Sequence, residues 1–539
     1  MGFSILYARA RGGKHNHLIE EIKQAVLEDN GNPIILIVPE QYSYSAEKSL
    51  TKALGATGQS GAEVLTFSRL AKRIFDISAK AARAHITPAG KSMLVYKALS
   101  DNRSKLKLFG SASEQHGFAD KISALISEFK RYGISPDELK EKSQSLEKGI
   151  FAYKLSDIAI VYESFCKLSQ GEYSDPDDNL YIAAAELMNI DYLKGARIWI
   201  AEFSDFLPHH YAFIEVLMKR ANSLRVCLCC DDKKDIDGTF APTAKTFAKL
   251  ERLAKECGVQ ALEHTYLKGS IPAKSSELVY LEAAFTDYSY PPYTQATKDI
   301  NIFEAKNPYT EICAVSAEVV RLCREKGYRR RDIAIVCANY DAYSYMAQVL
   351  LPRYGVKFFA DQSISADTHP IALAVLSIFE IFSKSWSYES VFKYLKTGYS
   401  DLSLQEVDML ENYVLAAGIR GKAWRDKDCW RYKTGLGFEN EENTDTLQLI
   451  DSLRRKVAEP LLAFREKMGK SRNVEQMCRG LFELLETLRI REKMQEMSDK
   501  LVLAGKLELA NQYKRTWNIL LELMDQLVAL MGDDMMGFE

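Results

Sequence analysis

Near its amino terminus the chain carries a loop with some of the residues that bind nucleotide phosphates. A functional phosphate-binding loop reads G-x-x-x-x-G-K-[ST]; its backbone N–H groups surround the phosphates, its lysine neutralises them and its hydroxyl binds Mg²⁺. The eight residues that begin at Ala8 read ARARGGKH, so Gly12, Gly13 and Lys14 are present but the first glycine is missing. His15 replaces the hydroxyl residue, and imidazole is a poor ligand for Mg²⁺, which prefers oxygen.

The acidic partner of such a loop is an Asp at the end of a later strand, where it holds Mg²⁺. The matching segment, RIWIAEF, has Ala201 at the Asp position and Glu202 after it. Two metal-binding positions are therefore altered together, and we assign no catalytic residue. Three interpretations stay open: a fold that kept its shape after losing hydrolysis, an ATP-driven motor in which Lys14 and Glu202 suffice, and a surface turn with a chance Gly-Lys pair.

Repeated strand–loop–helix units must position these two segments. Between residues 3 and 70 the apolar strands FSILYA, NPIILIVPE and EVLTF alternate with amphipathic helices, which is typical of a parallel sheet covered on both faces. Helical patterns then follow one another until strands return at ARIWIAEF and SLRVCLCC, which complete the first sheet. A second alternating unit, with INIFEA, DIAIVCA and VKFFA, precedes another helical region.

The predicted fold class is α/β, and the chain is expected to divide into five parts. These are 1–79 (first core, first part), 80–190 (helical insertion), 191–297 (first core, second part, and connector), 298–383 (second core, first part) and 384–539 (second helical insertion). A length of 539 residues agrees with several domains, since single cores stop growing at about 250–300 residues.

Composition excludes several classes of protein. The net charge is −2, so any binding of nucleic acid must come from a local basic groove. The longest apolar runs fall short of a bilayer span, and the first residues resemble neither a signal nor a transit peptide, so we expect a cytoplasmic protein without a membrane segment.

Ten cysteines lack the spacing of a disulfide framework, and the CLCC run at 227–230 favours core packing over a metal site. His209 and His210 follow Pro208 at a helix start, where an exposed pair is expected to be capping or solvated rather than catalytic, so they receive no role.

Several long, irregular segments resemble one protein family. They include IVPEQYSYSAEKSL, VLTFSRLAKRIF, WIAEFSDFLPHHY, FFADQSISADTHPIALAVL and NQYKRTWNILLELMDQLVALMGDD. The chain resembles the B subunit of the AddAB (RexAB) helicase-nuclease, and the resemblance runs through nearly all 539 residues. It implies a superfamily 1 helicase-like fold, with two RecA-like parallel-sheet cores that each carry a helical insertion.

The resemblance also implies a function and partners. Family members act in double-strand break repair and recombination, where the B subunit pairs with an AddA-type subunit and scans single-stranded DNA for the hotspot Chi. Single-stranded and duplex-end DNA are thus the expected ligands, with ATP and Mg²⁺ at the degenerate loop. A hydrolysis-deficient DNA-binding module is the main expectation; a functional translocase and a structural scaffold for the A subunit are the alternatives.

Departures from the family bear on the chemistry. Relatives commonly keep a loop of the form G-R-x-G-S-G-K-[ST] and an acidic DGF where this chain has Ala201, Glu202 and Phe203. The family also has a carboxyl-terminal nuclease domain with an iron–sulfur cluster held by four cysteines. No cysteine of this chain matches those ligands, so we expect an amino-terminal part with neither the cluster nor nuclease activity.

The resemblance places a path for single-stranded DNA after the second and third strands of the first core, at PEQYSYS and TFSRLAKR. Aromatic residues there can stack on bases, polar residues can bond base edges and cations can pair with phosphates. For each aromatic residue taken singly, a place in the core is the alternative. The candidate residues are Gln41, Tyr42, Ser43, Tyr44, Phe67, Arg69 and Lys72.

Overall fold

The structure is a computed structural model of the chain. It describes residues 2–28, 31–55, 61–78, 84–115, 117–169, 173–231, 238–268, 275–285, 289–360, 366–430, 442–469 and 472–536. No helix in these ranges is both long and apolar enough to cross a membrane.

The strands and helices are numbered in chain order. The strands are Gly2–Ala8 (β1), Ile34–Ile37 (β2), Glu63–Leu65 (β3), Ala84–His85 (β4), Tyr173–Ser174 (β5), Arg197–Ile200 (β6), Ser223–Cys229 (β7), Gln260–Ala261 (β8), Thr265–Tyr266 (β9), Arg472–Asn473 (β10) and Met535–Met536 (β11). The helices as far as the connector are Lys14–Leu27 (α1), Ser43–Leu54 (α2), Phe67–Ile77 (α3), Pro88–Asp101 (α4), Phe118–Tyr132 (α5), Pro136–Ser145 (α6), Ile150–Ser169 (α7), Asn179–Leu187 (α8), Pro208–Arg220 (α9), Ala241–Glu256 (α10) and Ser276–Ala284 (α11). The later helices are Pro308–Glu325 (α12), Tyr340–Arg353 (α13), Pro370–Ser383 (α14), Tyr388–Leu395 (α15), Leu404–Ala417 (α16), Glu442–Met468 (α17), Val474–Thr487 (α18), Ile490–Leu503 (α19) and Leu507–Met531 (α20).

A parallel sheet organises the first half of the chain. Its strands lie in the order β3-β2-β6-β7-β1-β8, and β9 also pairs with β1. Every pairing in this sheet is parallel, so the carboxyl ends of the strands meet at one edge. The predicted α/β class is confirmed, and the strands predicted around residues 3–70 and 196–230 all belong to this sheet.

Helices cover both faces of this sheet. Helices α1 and α2 pack on one face, where Leu6 of β1 and Trp199 of β6 are buried. On the other face α3, α8, α9 and α10 pack against Phe3 and Ile5 of β1. Because successive side chains of a strand point to opposite faces, an uninterrupted apolar run such as FSILYA suits a strand that is covered on both sides.

A polar network fixes α1 to the middle of the sheet. The Glu21 carboxylate of α1 accepts a hydrogen bond from Trp199 Nε1 at 3.0 Å and forms an ion pair with Arg225 of β7. Arg225 Nε in turn donates to Ser4 Oγ of β1 at 2.9 Å. His17 Nε2 lies 3.1 Å from the same carboxylate. Glu21 thus connects three neighbouring strands to the helix that begins at Lys14.

Two helical regions have cores of their own. The first core is built from α4, α5 and α7, and the second from α14 to α20. They meet where α4 contacts α20, with Lys97 Nζ 2.7 Å from Asp534 Oδ2. Two helices pack outside their predicted units. Helix α8, predicted in the helical insertion 80–190, packs into the core of the sheet, and α14, predicted in the second core 298–383, packs into the second helical region.

The second α/β unit differs from its prediction. Helices α12 and α13 form and share a small core of Val319, Leu351 and Val356. The three predicted strands do not form, and their residues pair with no strand in the described part of the chain. Ile302 is 95% exposed and Val336 93% exposed. An apolar run predicts burial but carries no information on pairing partners, and these runs have none here.

The Glu21 network generates a prediction about stability. In a Glu21→Ala variant, Arg225 loses its carboxylate and Trp199 Nε1 loses its acceptor, so we expect a loss of about 1–3 kcal/mol. Glu20→Ala is the matched control, because its ion pair with Lys23, at 3.4 Å, is exposed and its loss should change stability by less than about 0.5 kcal/mol. Hydrogen exchange of the α1, β6 and β7 amides measures both variants. Equal protection in the two variants would contradict the role of the network.

Candidate functional site

The loop between β1 and α1 is a tight turn that contains two glycines. Gly13 has φ 84°, a left-handed conformation that glycine adopts without strain, and it directly precedes the first residue of α1. A Cβ on Gly12 would lie 2.7 Å from Ala8 Cβ and 3.1 Å from the Arg9 carbonyl oxygen, so this position needs glycine. The Gly12 N–H closes the turn by donating to Arg9 O at 3.1 Å. Both glycines therefore have a physical reason in the geometry of this turn.

The Lys14 side chain folds back onto this loop. Its Nζ donates to the carbonyl oxygens of Ala8 at 2.9 Å and Arg9 at 2.8 Å. An ammonium group has three donors, so one remains for an anion in the loop. The first turn of α1 has no acidic residue, and the amino-terminal end of a helix attracts negative charge. The Lys14 ammonium and the helix amino terminus thus place positive charge at the loop.

The two altered metal-binding positions are His15, at the start of α1, and Ala201, directly after β6, as predicted. Neither side chain has the oxygen ligand that a Ser or an Asp would supply. Ala201 is buried, with 3% exposed, directly after β6. Glu202 follows in a left-handed conformation with φ 65° and has an exposed side chain. His15 Nδ1 lies 3.5 Å from the Tyr42 hydroxyl. Within the described ranges no group of three His, Cys, Asp or Glu side chains could hold a metal ion. These residues do not fit Mg²⁺ bound in the manner of an ATPase.

A small cleft joins the two altered positions. It has a volume of about 160 Å³, below the roughly 300–1,000 Å³ of typical small-molecule sites. Strand β7 lies between β1 and β6, so its end separates the loop from Glu202. The lining residues are Lys14, His15, Leu18, Ala201, Glu202, Phe203, Ser204, Cys227 and Cys229. Lys14, His15, Ala201 and Glu202 therefore line one cleft.

The two cysteines of the cleft were missed as site residues. The period of a strand indicated that Cys227 and Cys229 face one side, but only the strand order shows that this side is the cleft. Burial, with a smaller contribution from Glu21, raises the pKa of the Cys227 thiol to about 12. Cys227 is therefore a neutral thiol that packs in the wall, as predicted for a core residue.

The two segments predicted to line a DNA path lie beside each other. They follow the neighbouring strands β2 and β3, and Thr66 Oγ1 donates to Glu40 Oε1 at 2.7 Å to join them. Thr66 also caps α3 by accepting the Arg69 N–H at 3.2 Å. Arg69 Nη1 lies 3.3 Å from Glu47 Oε1 of α2, in an ion pair whose side chains are about half exposed. Since exposed pairs contribute little, a phosphate can compete for Arg69.

Four of the candidate residues form an exposed surface, which we call the edge surface: Gln41, Tyr44, Arg69 and Lys72. The Tyr44 side chain is 73% exposed and can offer its ring to a base. Tyr42 is half-buried beside the cleft, where burial and then the Glu202 carboxylate raise its pKa above the ordinary value. Tyr42 thus stands between the cleft and the edge surface.

Phe67 and Ser43 belong to the core rather than to the surface. Phe67 is 5% exposed, and its ring stacks on His210 with centroids 4.8 Å apart. Phe203 and Phe213 pack on its other sides at 5.4 and 6.0 Å. Ser43 is 8% exposed, and its hydroxyl donates to Glu40 O at 2.9 Å. For each aromatic residue of the predicted DNA path, the alternative was a place in the core, and Phe67 has that place.

His209 is buried and His210 is half-buried, so neither is solvated, and His210 Nδ1 accepts the Leu207 N–H at 3.2 Å as a capping contact at the start of α9. His209 is 8% exposed and its Nδ1 lies 3.0 Å from the carbonyl oxygen of Arg131 in α5. Burial, with a smaller contribution from His209, lowers the pKa of His210 to about 4. His209 thus joins α9 to the first helical region, whereas His210 packs on Phe67 in the core of the sheet.

Comparison with known proteins identifies the family. The model for the amino-terminal part of AddB ("ADDB, N-terminal") matches residues 5–282. The B subunit of the ATP-dependent helicase/deoxyribonuclease of Acetivibrio thermocellus is 36% identical over 552 residues, covering 100% of this chain and 48% of the relative. The protein of the same description from Caldanaerobacter subterraneus is 36% identical over 547 residues, with 100% and 47% covered. This chain spans about half the length of the curated relatives it matches, and it belongs to the AddB family.

Proposed function

We propose that this chain is the DNA-binding, hydrolysis-deficient helicase-like part of the B subunit of an AddAB-type helicase-nuclease. One observation carries the proposal: the loop keeps the backbone geometry that holds a phosphate, while both positions that should bind Mg²⁺, His15 and Ala201, lack an oxygen ligand. The relatives are named as subunits of an ATP-dependent helicase/deoxyribonuclease. That description supports a role in double-strand break repair and recombination.

In the proposed function, the cleft binds phosphate but does not hydrolyse ATP. Gly12, Gly13 and Lys14 would hold the phosphates through backbone N–H groups and one ammonium. When bound with Mg²⁺ at a complete site, ATP supplies the free energy of phosphate hydrolysis. Glu202 alone cannot replace the paired ligands, because a single carboxylate leaves the metal without the loop hydroxyl and the Asp.

The edge surface is the proposed contact for single-stranded DNA and for hotspot scanning. Tyr44 supplies a stacking face, Gln41 an amide for base edges, and Arg69 and Lys72 charges for phosphates. A chain with a net charge of −2 needs such a local arrangement to attract DNA.

An A-type partner subunit and a duplex end complete the proposed assembly. The relatives' description as B subunits supports a partner subunit, which we propose to be AddA-like in a cytoplasmic heterodimer. Nuclease activity is assigned to parts of the relatives that this chain does not match. The two alternative functions are a structural scaffold that does not contact DNA and a functional translocase. Measurements of ATP turnover and of DNA binding distinguish them from the proposed function.

The first experiment measures ATP turnover with single-stranded DNA. We expect no DNA-stimulated hydrolysis by the parent, because the Mg²⁺ positions are altered, and no difference in a Lys14→Ala variant. DNA-stimulated turnover that falls on Lys14→Ala would instead establish the functional translocase.

The second experiment measures binding of single-stranded DNA as a function of salt. An Arg69→Ala/Lys72→Ala variant should lower the slope of log K against log salt by about 1.4, for two phosphate contacts on a single strand. Tyr44→Ala should cost about 1–3 kcal/mol of binding if the ring stacks on a base. The charge control is Lys500→Ala/Lys506→Ala, at two exposed lysines of the second helical region. Binding that is equal in all variants would favour the scaffold.

Phe67→Ala separates packing from binding. Since Phe67 is buried among aromatic rings, its loss should lower the free energy of unfolding by about 3–5 kcal/mol. Thermal unfolding should show this loss, whereas Tyr44→Ala should unfold like the parent. A stable Phe67→Ala chain with weakened DNA binding would return Phe67 to the DNA path.

A further inference from the structure

The contact between helices α4 and α20 is the place where the two helical regions meet. Each region has its own core of buried residues, built mainly from α4, α5 and α7 in the first region and from α14 to α20 in the second. The apolar side chains at the boundary are only partly buried. Met93 of α4 packs against the second core, and Leu530 of α20 packs against both cores. The boundary therefore contributes less to burial than the interior of either region does.

Two polar interactions also join the helices. Thr87 Oγ1, at the start of α4, donates a hydrogen bond to Gln526 Oε1 of α20. Further along α4, Lys97 Nζ lies 2.7 Å from Asp534 Oδ2, just after the end of α20. The side chains of this ion pair are 24% and 35% exposed, so water and salt weaken their attraction. Interfaces inside one chain that are small and partly polar allow the units they join to move relative to each other.

A glycine lets the two helices approach closely. A Cβ at Gly90 of α4 would lie 2.7 Å from Gln526 Oε1 and 3.2 Å from Leu530 Cδ1, so a side chain there would displace the amide that Thr87 binds. The nearest group of its own region, in the Ile86 side chain, lies at 3.3 Å. Helix α4 does not need a glycine here, because alanine is the better helix former. The tightest approach is to α20, and Gly90 thus permits the α4–α20 contact.

The other attachment of α4 is buried. Lys91 is 5% exposed, and its ammonium lies 3.0 Å from Asp175 Oδ1 and also pairs with Asp177. Both carboxylates precede α8, which packs in the core of the sheet. Breaking a buried ion pair leaves an uncompensated charge out of water, whereas losing an exposed pair has little effect. Of the two attachments of α4, the one to α20 is therefore the easier to break.

We infer that the α4–α20 contact is a releasable lock, which holds the second helical region against the first and can open without unfolding either. When it opens, Lys91 keeps α4 attached to the segment before α8, while α20 and the helices that share its core move away together. The inference uses no residue of the loop between β1 and α1 or of the edge surface. Its test is therefore separate from every test of the proposed function.

Peroxide oxidation of methionine in the full chain tests the inference, because an exposed thioether forms its sulfoxide faster than a buried one. Met93 reports on the contact, and Met494, which is 4% exposed in the core of the second region, reports on unfolding. Lys97→Glu brings a second carboxylate next to Asp534. Met93 should then oxidise at least about twofold faster at about 0.05 M salt, while Met494 keeps the parent's rate. The radius of gyration from small-angle scattering should increase.

A charge swap is the matched control. Adding Asp534→Lys to Lys97→Glu restores an ion pair in the opposite orientation, so both measurements should return to the parent's values. Lys121→Glu makes the same charge change at an exposed lysine of α5 and should match the parent. Gly90→Leu separates the helices without changing charge. Its effect on Met93 should be similar at low and high salt, whereas the effect of Lys97→Glu should shrink at about 0.5 M salt.

The possible results either establish or overturn the lock. Faster oxidation of Met93 alone, reversed by the charge swap, would establish it. Met93 oxidation at the parent's rate in Lys97→Glu and Gly90→Leu would show that this contact does not hold the two regions together. Faster oxidation of Met494 along with Met93 would show that the regions unfold as one unit, which also overturns the inference. If Gly90→Leu does not fold, Lys97→Glu and its charge swap still decide, because both side chains are partly exposed.

Discussion

Parallel pairing of the strands is the constraint on which the candidate site depends. Because β1, β7, β6, β2 and β3 all run in one direction, every loop that follows them emerges at the same edge of the sheet. The strand order then places the Lys14 loop and Glu202 on either side of the end of β7, and the edge surface next to them. Ligand sites of open α/β sheets occur at this edge for the same reason. The Glu21 network holds α1, and with it the start of the loop, against the same strands.

Shape and chemistry can be lost separately at such a site. The loop's shape depends on glycines at positions where a Cβ would clash or a left-handed φ is required, and on Lys14 bonded to two carbonyl oxygens. Metal binding depends instead on one side-chain oxygen at each of two positions, and these oxygens do not help to hold the backbone in place. A change at His15 or Ala201 therefore removes the metal without disturbing the fold. The proposed function is therefore a cleft that retains an affinity for phosphate while lacking the metal ligands that hydrolysis needs.

Much of this arrangement could be predicted from the sequence, and the failures have physical reasons. Apolar runs flanked by helices identified the strands of the first sheet, and the spacing of the loop residues identified Lys14 and Ala201. Phe67 was placed on a DNA path because an aromatic residue after a strand fits both a stacking and a packing role, and only tertiary contacts with His210 decide between them. Cys229 was missed because strand order is not contained in local periodicity. The apolar runs near Ile302 and Val336 predicted burial but could not supply pairing partners.

The central claim is that the cleft holds phosphate without a metal. Equilibrium binding of ATP to the full chain, titrated with Mg²⁺ and separately with EDTA, tests it most directly. If His15 and Ala201 have removed the ligands, the affinity should be weak and the same in both conditions, and it should fall in a Lys14→Ala variant. An affinity that rises tenfold or more when Mg²⁺ is added would contradict the claim.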